Sequence, residues 1–191
     1  MKTTLKTGTI PGTILSADKL GGVTGKDFID KVFYVTDGIM LSQIREITGI
    51  DGTTLQNWVK RGWVDKPVNK TYSREQLARI LLLSMMRDTL ELSEILALLS
   101  YISGENEIDG CGLYDCVCRV LSAVSESGGG MGGLDEIVIT TLTDYDLPTE
   151  TKKRVLVGVR IIVVSYYAST MKSTAGYMLS AVLSPNGGQN G

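Results

Sequence analysis

Between residues 51 and 61 the chain reads Asp-Gly-Thr-Thr-Leu-Gln-Asn-Trp-Val-Lys-Arg, so hydroxyls, amides and a basic pair are gathered in one short stretch. If that stretch is a helix, Leu55, Trp58 and Val59 fall at i, i+3 and i+4 and face the core. Thr53, Thr54, Gln56, Asn57, Lys60 and Arg61 are then left towards solvent. Gln and Asn amides can pair with the edge of adenine in a major groove, and Lys and Arg in the last turn can reach phosphates. These are the groups a helix needs to read duplex DNA. The competing reading is a solvated helix face with no partner.

Other chemistries find less support. The 191 residues contain no histidine, which removes the commonest general base and the commonest zinc ligand other than cysteine. No constellation of residues points to an enzyme. Cys111, Cys116 and Cys118 are odd in number and follow no export signal, so they are expected as reduced thiols. Their C-x4-C-x-C spacing is not a standard zinc pattern, and Cys116 and Cys118 are about 200° apart on a helix. They read as small buried residues, with metal or redox sensing as the alternative. Around Glu105, Glu107 and Asp109 acids alternate as in a calcium loop, but Cys116 stands where a bidentate Glu is required. This is an acidic surface loop. "GGVTGKD" is one residue short of a phosphate loop and has Asp27 in place of the magnesium-binding hydroxyl. Asp144 and Asp146 read as loop or capping residues. The sequence thus calls for no cofactor and no metal.

Formal net charge is −2, but it is unevenly spread. Residues 41–88 carry eight Lys/Arg against five Asp/Glu, whereas residues 89–150 carry one against twelve. The candidate helix therefore lies in a locally basic segment beside a strongly acidic one, and whole-chain charge says little about partners. The first twenty residues have no apolar signal core. The richest apolar run, "VLVGVRIIVVSYYA", is interrupted by Arg160 and is too short to span a bilayer. A soluble, cytoplasmic protein without membrane contact is expected.

Three regions must position the candidate residues. Residues 1–37 form an N-terminal arm with one short helix in "GKDFIDKVFYV". Residues 38–104 form a series of short helices: "MLSQIREITG" stops at Gly49, Asp51 caps the next helix, and that helix ends at Gly62. Two helices joined by a glycine-containing turn are the signature of a helix-turn-helix. "WVDKPVNKTY" then suits a small hairpin or wing, Ser73 and Gln76 make a capping box, and Gly104 closes a fourth helix. Residues 105–184 form a C-terminal helical domain that dimerises or binds an effector. In it Leu113, Val117, Val120, Leu121 and Val124 mark one helix face, and a long helix after Pro148 is apolar on all sides through Val164. Such a helix has to be covered, by a bundle or by a second subunit. Tyr166, Tyr167, Met171, Tyr177 and Met178 read as core or dimer interface, or else as the lining of an effector pocket. Residues 185–191 are expected to be a disordered tail.

The stretch from "LSQIREITGIDGTTLQNWVKRGWV" through "YSREQLARILLLSMMRD" to "LSEILALLSYI" resembles the N-terminal domain of MerR-type transcription regulators. It resembles more closely the bacterial family catalogued as domain of unknown function 1836, which shares the pattern around "LQNWVKRGWV" and "YSREQLARI". The resemblance covers about 65 residues and implies a mainly α protein: a MerR-like winged helix-turn-helix followed by a C-terminal helical bundle. It implies a sequence-specific DNA-binding transcription regulator and a homodimer. Thr53, Thr54, Gln56 and Asn57 would approach bases, and Lys60, Arg61, Lys66 and Lys70 would contact phosphates. Tyr72 would anchor the wing. MerR-type regulators commonly carry Arg-Tyr-Tyr where this chain has Gln56-Asn57-Trp58, so a basic and an aromatic backbone contact are missing. The alternative is a protein-protein interaction module that keeps the fold without reading DNA.

Overall fold

Caps and glycines cut the chain into its elements. The computed structural model describes residues 8–104 and 107–183. Among them lie α1 (Gly25–Val32), β1 (Ile39–Met40), α2 (Leu41–Thr48), α3 (Gly52–Lys60), β2 (Thr71–Tyr72), α4 (Arg74–Met86), α5 (Leu92–Ser103), α6 (Gly110–Glu126), α7 (Leu134–Thr141) and α8 (Thr149–Leu183). The protein is mainly α. Residues 1–7 of the expected arm, Glu105 of the acidic loop and the tail 185–191 lie outside the described residues.

The expected punctuation is present. Gly49 ends α2 in the left-handed region at φ 70°, where its N–H donates to the Arg45 carbonyl. The Ser73 hydroxyl accepts from the Gln76 N–H, and the Gln76 side chain accepts from the Ser73 N–H, opening α4. Asp109, read from the sequence as part of an acidic loop, caps α6 by accepting from the Gly112 N–H. α7 forms within "LDEIVITTLTDYDL", a stretch to which the sequence reading gave no element.

α4 is the centre of the architecture. Its "RILLLSMM" run has no polar side, and Leu77, Ile80, Leu81, Leu83 and Met86 are all fully buried. It packs against α1 and α2 on one side and against α5, α6 and α8 on others. One buried cluster runs from Ile10 through this helix to Val163.

Two long-range caps join the regions. The Glu75 carboxylate, on the first turn of α4, accepts from the Gly110 and Cys111 N–H groups at 2.6 and 3.2 Å and so caps α6 from outside. Asp115 on α6 accepts from the Lys26 N–H at 3.0 Å at the start of α1, and is held by Arg119 at 2.7 Å. The buried Tyr114 hydroxyl donates to the Pro11 carbonyl at 2.8 Å. Next to it, Gly12 sits at φ 76° so close to α4 that a Cβ there would meet the Leu81 carbonyl oxygen at 2.7 Å, so only glycine fits.

α8 runs for 35 residues, about 50 Å. It is long enough to cross a membrane, and one 18-residue window within it has a mean hydropathy of 1.3, with a third of that window buried inside the fold. Within the single chain the helix is covered on one side. Val155, Val159, Ile162 and Val163 are buried, whereas Val157, Ile161 and Val164 on the other side are exposed. The aromatic and methionine cluster is divided too: Tyr166 and Tyr167 pack against the core, while Met171, Tyr177 and Met178 are exposed.

Candidate nucleic-acid interface

α3 is held at its start by Asp51, whose carboxylate accepts from the Thr54 N–H at 2.9 Å and from the Thr54 hydroxyl at 2.6 Å. Those two bonds hold the Asp51 carboxyl below its ordinary value, the hydroxyl being the larger cause. Its end is set by Gly62 at φ 73°, and the Trp63 N–H returns to the Trp58 carbonyl at 2.9 Å. Leu55 and Trp58 are buried, and Val59 is half-buried. The sequence therefore places this helix against the core as its apolar spacing requires.

The six polar residues of α3 and its cap divide into two groups. Thr53, Gln56, Asn57 and Lys60 are all exposed and follow at i, i+3, i+4 and i+7, which makes one continuous stripe. Thr54 and Arg61 belong to the scaffold as much as to the surface. The Thr54 hydroxyl is committed to Asp51, and the Arg61 guanidinium lies 5.0 Å above the Trp63 ring. Sequence spacing showed all six on the solvent side without distinguishing the two groups.

The segment after α3 is fixed by α4. The Gln76 side-chain amide donates to the Asp65 and Lys66 carbonyls at 2.7 and 3.2 Å, and the Arg79 guanidinium donates to the Trp63 carbonyl. The expected hairpin is smaller than a two-stranded wing. Val68 and Thr71 form a single antiparallel bridge around Asn69 and Lys70, and at the next hydrogen-bonding pair the Gln76 side chain intervenes, donating to the Lys66 carbonyl and accepting from the Ser73 N–H. The chain then pairs elsewhere: Thr71 and Tyr72 add to Met40 and Ile39, the strand that precedes α2. Asn69 and Lys70 have φ of 50° and 64°, the positive pair of a two-residue type I′ turn. Lys70 is exposed at this tip and Lys66 at its approach. Tyr72 is buried beneath.

Two further cations were not singled out from the sequence. Arg45 is exposed on the last turn of α2, and a Cβ at Gly52 would lie 3.6 Å from its Cδ, so it flanks the start of α3. Arg74 pairs with Asp30 and lies 5.5 Å over the Phe33 ring. The only signal for Arg45 was a cation in a helix's last turn, and its nearness to α3 depends on how the Gly49 turn folds.

The cysteines lie within the packed part of the fold. Cys116 and Cys118 are buried and Cys111 is half-buried. Burial is the largest cause pushing all three thiols up to about 12, and Glu75 and Asp109 add to it at Cys111. Neutral thiols are poor nucleophiles and poor metal ligands. Among the described residues no group of three or more Cys, Asp or Glu side chains is placed to hold a metal ion.

No curated protein and no solved structure matches the chain. Residues 27–116, from α1 through the hairpin to the second turn of α6 and just under half of the chain, match the model of the family described as Domain of unknown function (DUF1836).

Proposed function

We propose that the chain is a sequence-specific, DNA-binding transcription regulator with a MerR-like winged helix-turn-helix, acting in the bacterial cytoplasm as a homodimer on double-stranded DNA. One observation carries this reading: the exposed stripe Thr53, Gln56, Asn57 and Lys60 on α3, with base-pairing amides at its centre and a cation at its end. The order β1, α2, turn, α3, hairpin, β2 supports it, since it matches a helix-turn-helix with a short wing. In this reading α3 enters the major groove. Gln56 and Asn57 meet base edges, while Lys60, Arg61, Lys66 and Lys70 meet phosphates. Arg45, beside the start of α3, adds a further phosphate contact. No catalytic role belongs to this reading.

Selection of bound fragments from random duplexes tests it. A defined sequence should be enriched, and affinity should fall steeply with salt. Changing both Lys60 and Arg61 to Ala should weaken every duplex and lower the slope of log affinity against log salt by about 2. Unchanged duplex affinity in that double variant at low salt overturns the reading. Enrichment of no sequence would favour a protein-interaction module instead.

A further inference from the structure

Where the N-terminal arm lies over α6 and α8 it leaves a cavity of about 140 Å³. Pro11, Cys118 and Leu121 are its buried members and give it an apolar floor. Tyr166 and Tyr167 border it, whereas the other aromatic and methionine residues of α8 do not. The remaining lining is rich in hydroxyls. That of Tyr166 is engaged by Thr9, and that of Thr170 donates to the Tyr166 carbonyl at 2.9 Å. The hydroxyls of Thr24, Ser122, Ser125 and Tyr167 have no hydrogen-bond partner among the described residues. Thr24 shows why. It occupies the N-cap of α1, where its hydroxyl would ordinarily bond a free backbone N–H, but it makes no such bond. Asp115 has taken that place by accepting from the Lys26 N–H at 3.0 Å. No charged side chain is among the described residues that line the cavity. In the neighbouring depression that shares Thr24 and Ser122, Arg119 and Asp115 are bonded to each other at 2.7 Å and Glu126 is exposed.

We infer that this cavity is the binding site of a small, uncharged, single-ring phenolic compound. Size sets the first limit. A cavity of roughly 150 Å³ holds a benzene ring, so one ring with a small substituent fills this one and a fused ring system does not. Charge sets the second, because an ion placed there would be taken from water without a partner. The third is the split between floor and rim. A ring gains by covering Pro11 and Leu121 and by aromatic contact with the tyrosines. A phenolic hydroxyl both donates and accepts, as do the partnerless hydroxyls around it. A sugar of the same size fits less well, since it would turn hydroxyls towards the apolar floor. Occupancy also reaches the rest of the fold through the arm. The Ile14 N–H donates to the Ile47 carbonyl of α2 at 3.0 Å, and Gly12 lies against Leu81 of α4. A ligand that holds Thr9, Ala17 and Thr24 to α6 and α8 therefore also holds the arm onto the helix before the Gly49 turn.

The site does not depend on α3 touching DNA, so its test is made on the full chain without DNA. Calorimetric titration compares phenol, 4-methylphenol and resorcinol with toluene, 4-hydroxybenzoate and glucose. At least one of the three phenols should bind one to one with a dissociation constant below about 1 mM, and the other three compounds at least about tenfold more weakly. In the bound state the amides of Ile14 and Ala17, which donate to the Ile47 and Gly8 carbonyls, should exchange hydrogen more slowly. The double variant Thr24→Val with Tyr167→Phe keeps shape and removes two hydroxyls that bond nothing inside the chain. It should leave the helical circular dichroism and the melting temperature of the free protein unchanged, and weaken phenol binding about tenfold. Ser122→Leu, on the exposed side of α6, should fill the mouth and abolish binding. Three results would overturn the site: no phenol bound at 1 mM, toluene, 4-hydroxybenzoate or glucose bound as tightly as the phenols, or affinity untouched by either the double variant or Ser122→Leu.

Discussion

Helices α3 and α8 each turn one face into the core and the other outwards, and their outward faces are opposite in kind. The α3 face is made of Thr53, Gln56, Asn57 and Lys60. These groups are hydrated in the free protein, so leaving them exposed carries little penalty, and a partner must replace that hydration with better-placed bonds. The α8 face is apolar, and its Val, Ile and Met residues are 40% to 80% exposed. Covering each such Val, Ile or Met stabilises by roughly 1 kcal/mol. A polar face can wait for its ligand, whereas an apolar seam of this length gains by being covered at once. In the proposed reading recognition falls to α3, and the α8 face is the one that gains by being covered.

The largest way to break this contrast is through what the two faces share. Leu81 is fully buried in α4, which packs against α2 and α8 as well as α1. Leu81→Ala should cost about 2–5 kcal/mol in chemical denaturation, and duplex binding and pairing should decline together as the fold loosens. Separate decline would mean that the two helices rest on independent supports. Asn57→Ala sharpens the contrast from the α3 side. It should remove about 1–3 kcal/mol of discrimination between duplex sequences, measured by competition, while the chain mass in light scattering stays unchanged.

Smaller effects separate geometry from charge. Lys70 holds φ 64°, a value that glycine adopts without strain. Lys70→Gly should therefore raise thermal stability slightly, by under about 1 kcal/mol, and at the same time lower the salt slope of duplex binding by about 1. A loss of stability would show that Lys70 serves the hairpin rather than a phosphate. The smallest effect is at Asp51, whose carboxyl is held below its ordinary value by Thr54. Its contribution to α3 is present above the unfolded value near 4 and is lost as pH falls through the lower folded value. Asp51→Ala should flatten the acid limb of a stability-against-pH curve and leave the neutral and alkaline range parallel to the parent.

Much of the local structure was legible because it rests on contacts close in sequence. Gly49, Asp51, Gly62, Ser73 with Gln76, and Gly104 each act within four residues, and each ends or begins a helix where its chemistry requires. The apolar spacing of Leu55 and Trp58 likewise determined which side of α3 faces inwards. The short wing was less legible, because the choice of Ile39 and Met40 as partners for Tyr72 and Thr71 depends on a strand some thirty residues earlier. The division of the α3 cluster was not legible either. A helical wheel shows that Thr54 and Arg61 face outward but not that a cap and the Trp63 ring engage them.

By itself, then, the sequence determined the helical class, most helix ends and the buried side of α3, since all of these follow from local propensity and periodicity. Only the tertiary structure decided that Glu75 caps α6 and Asp115 caps α1, bonds that join residues 35 and 89 apart. It also decided which side of an all-apolar helix stays uncovered. Periodicity gives the angle between residues on one helix, but the direction that faces the core is chosen by the helices packed against it, here α4, α5, α6 and α7.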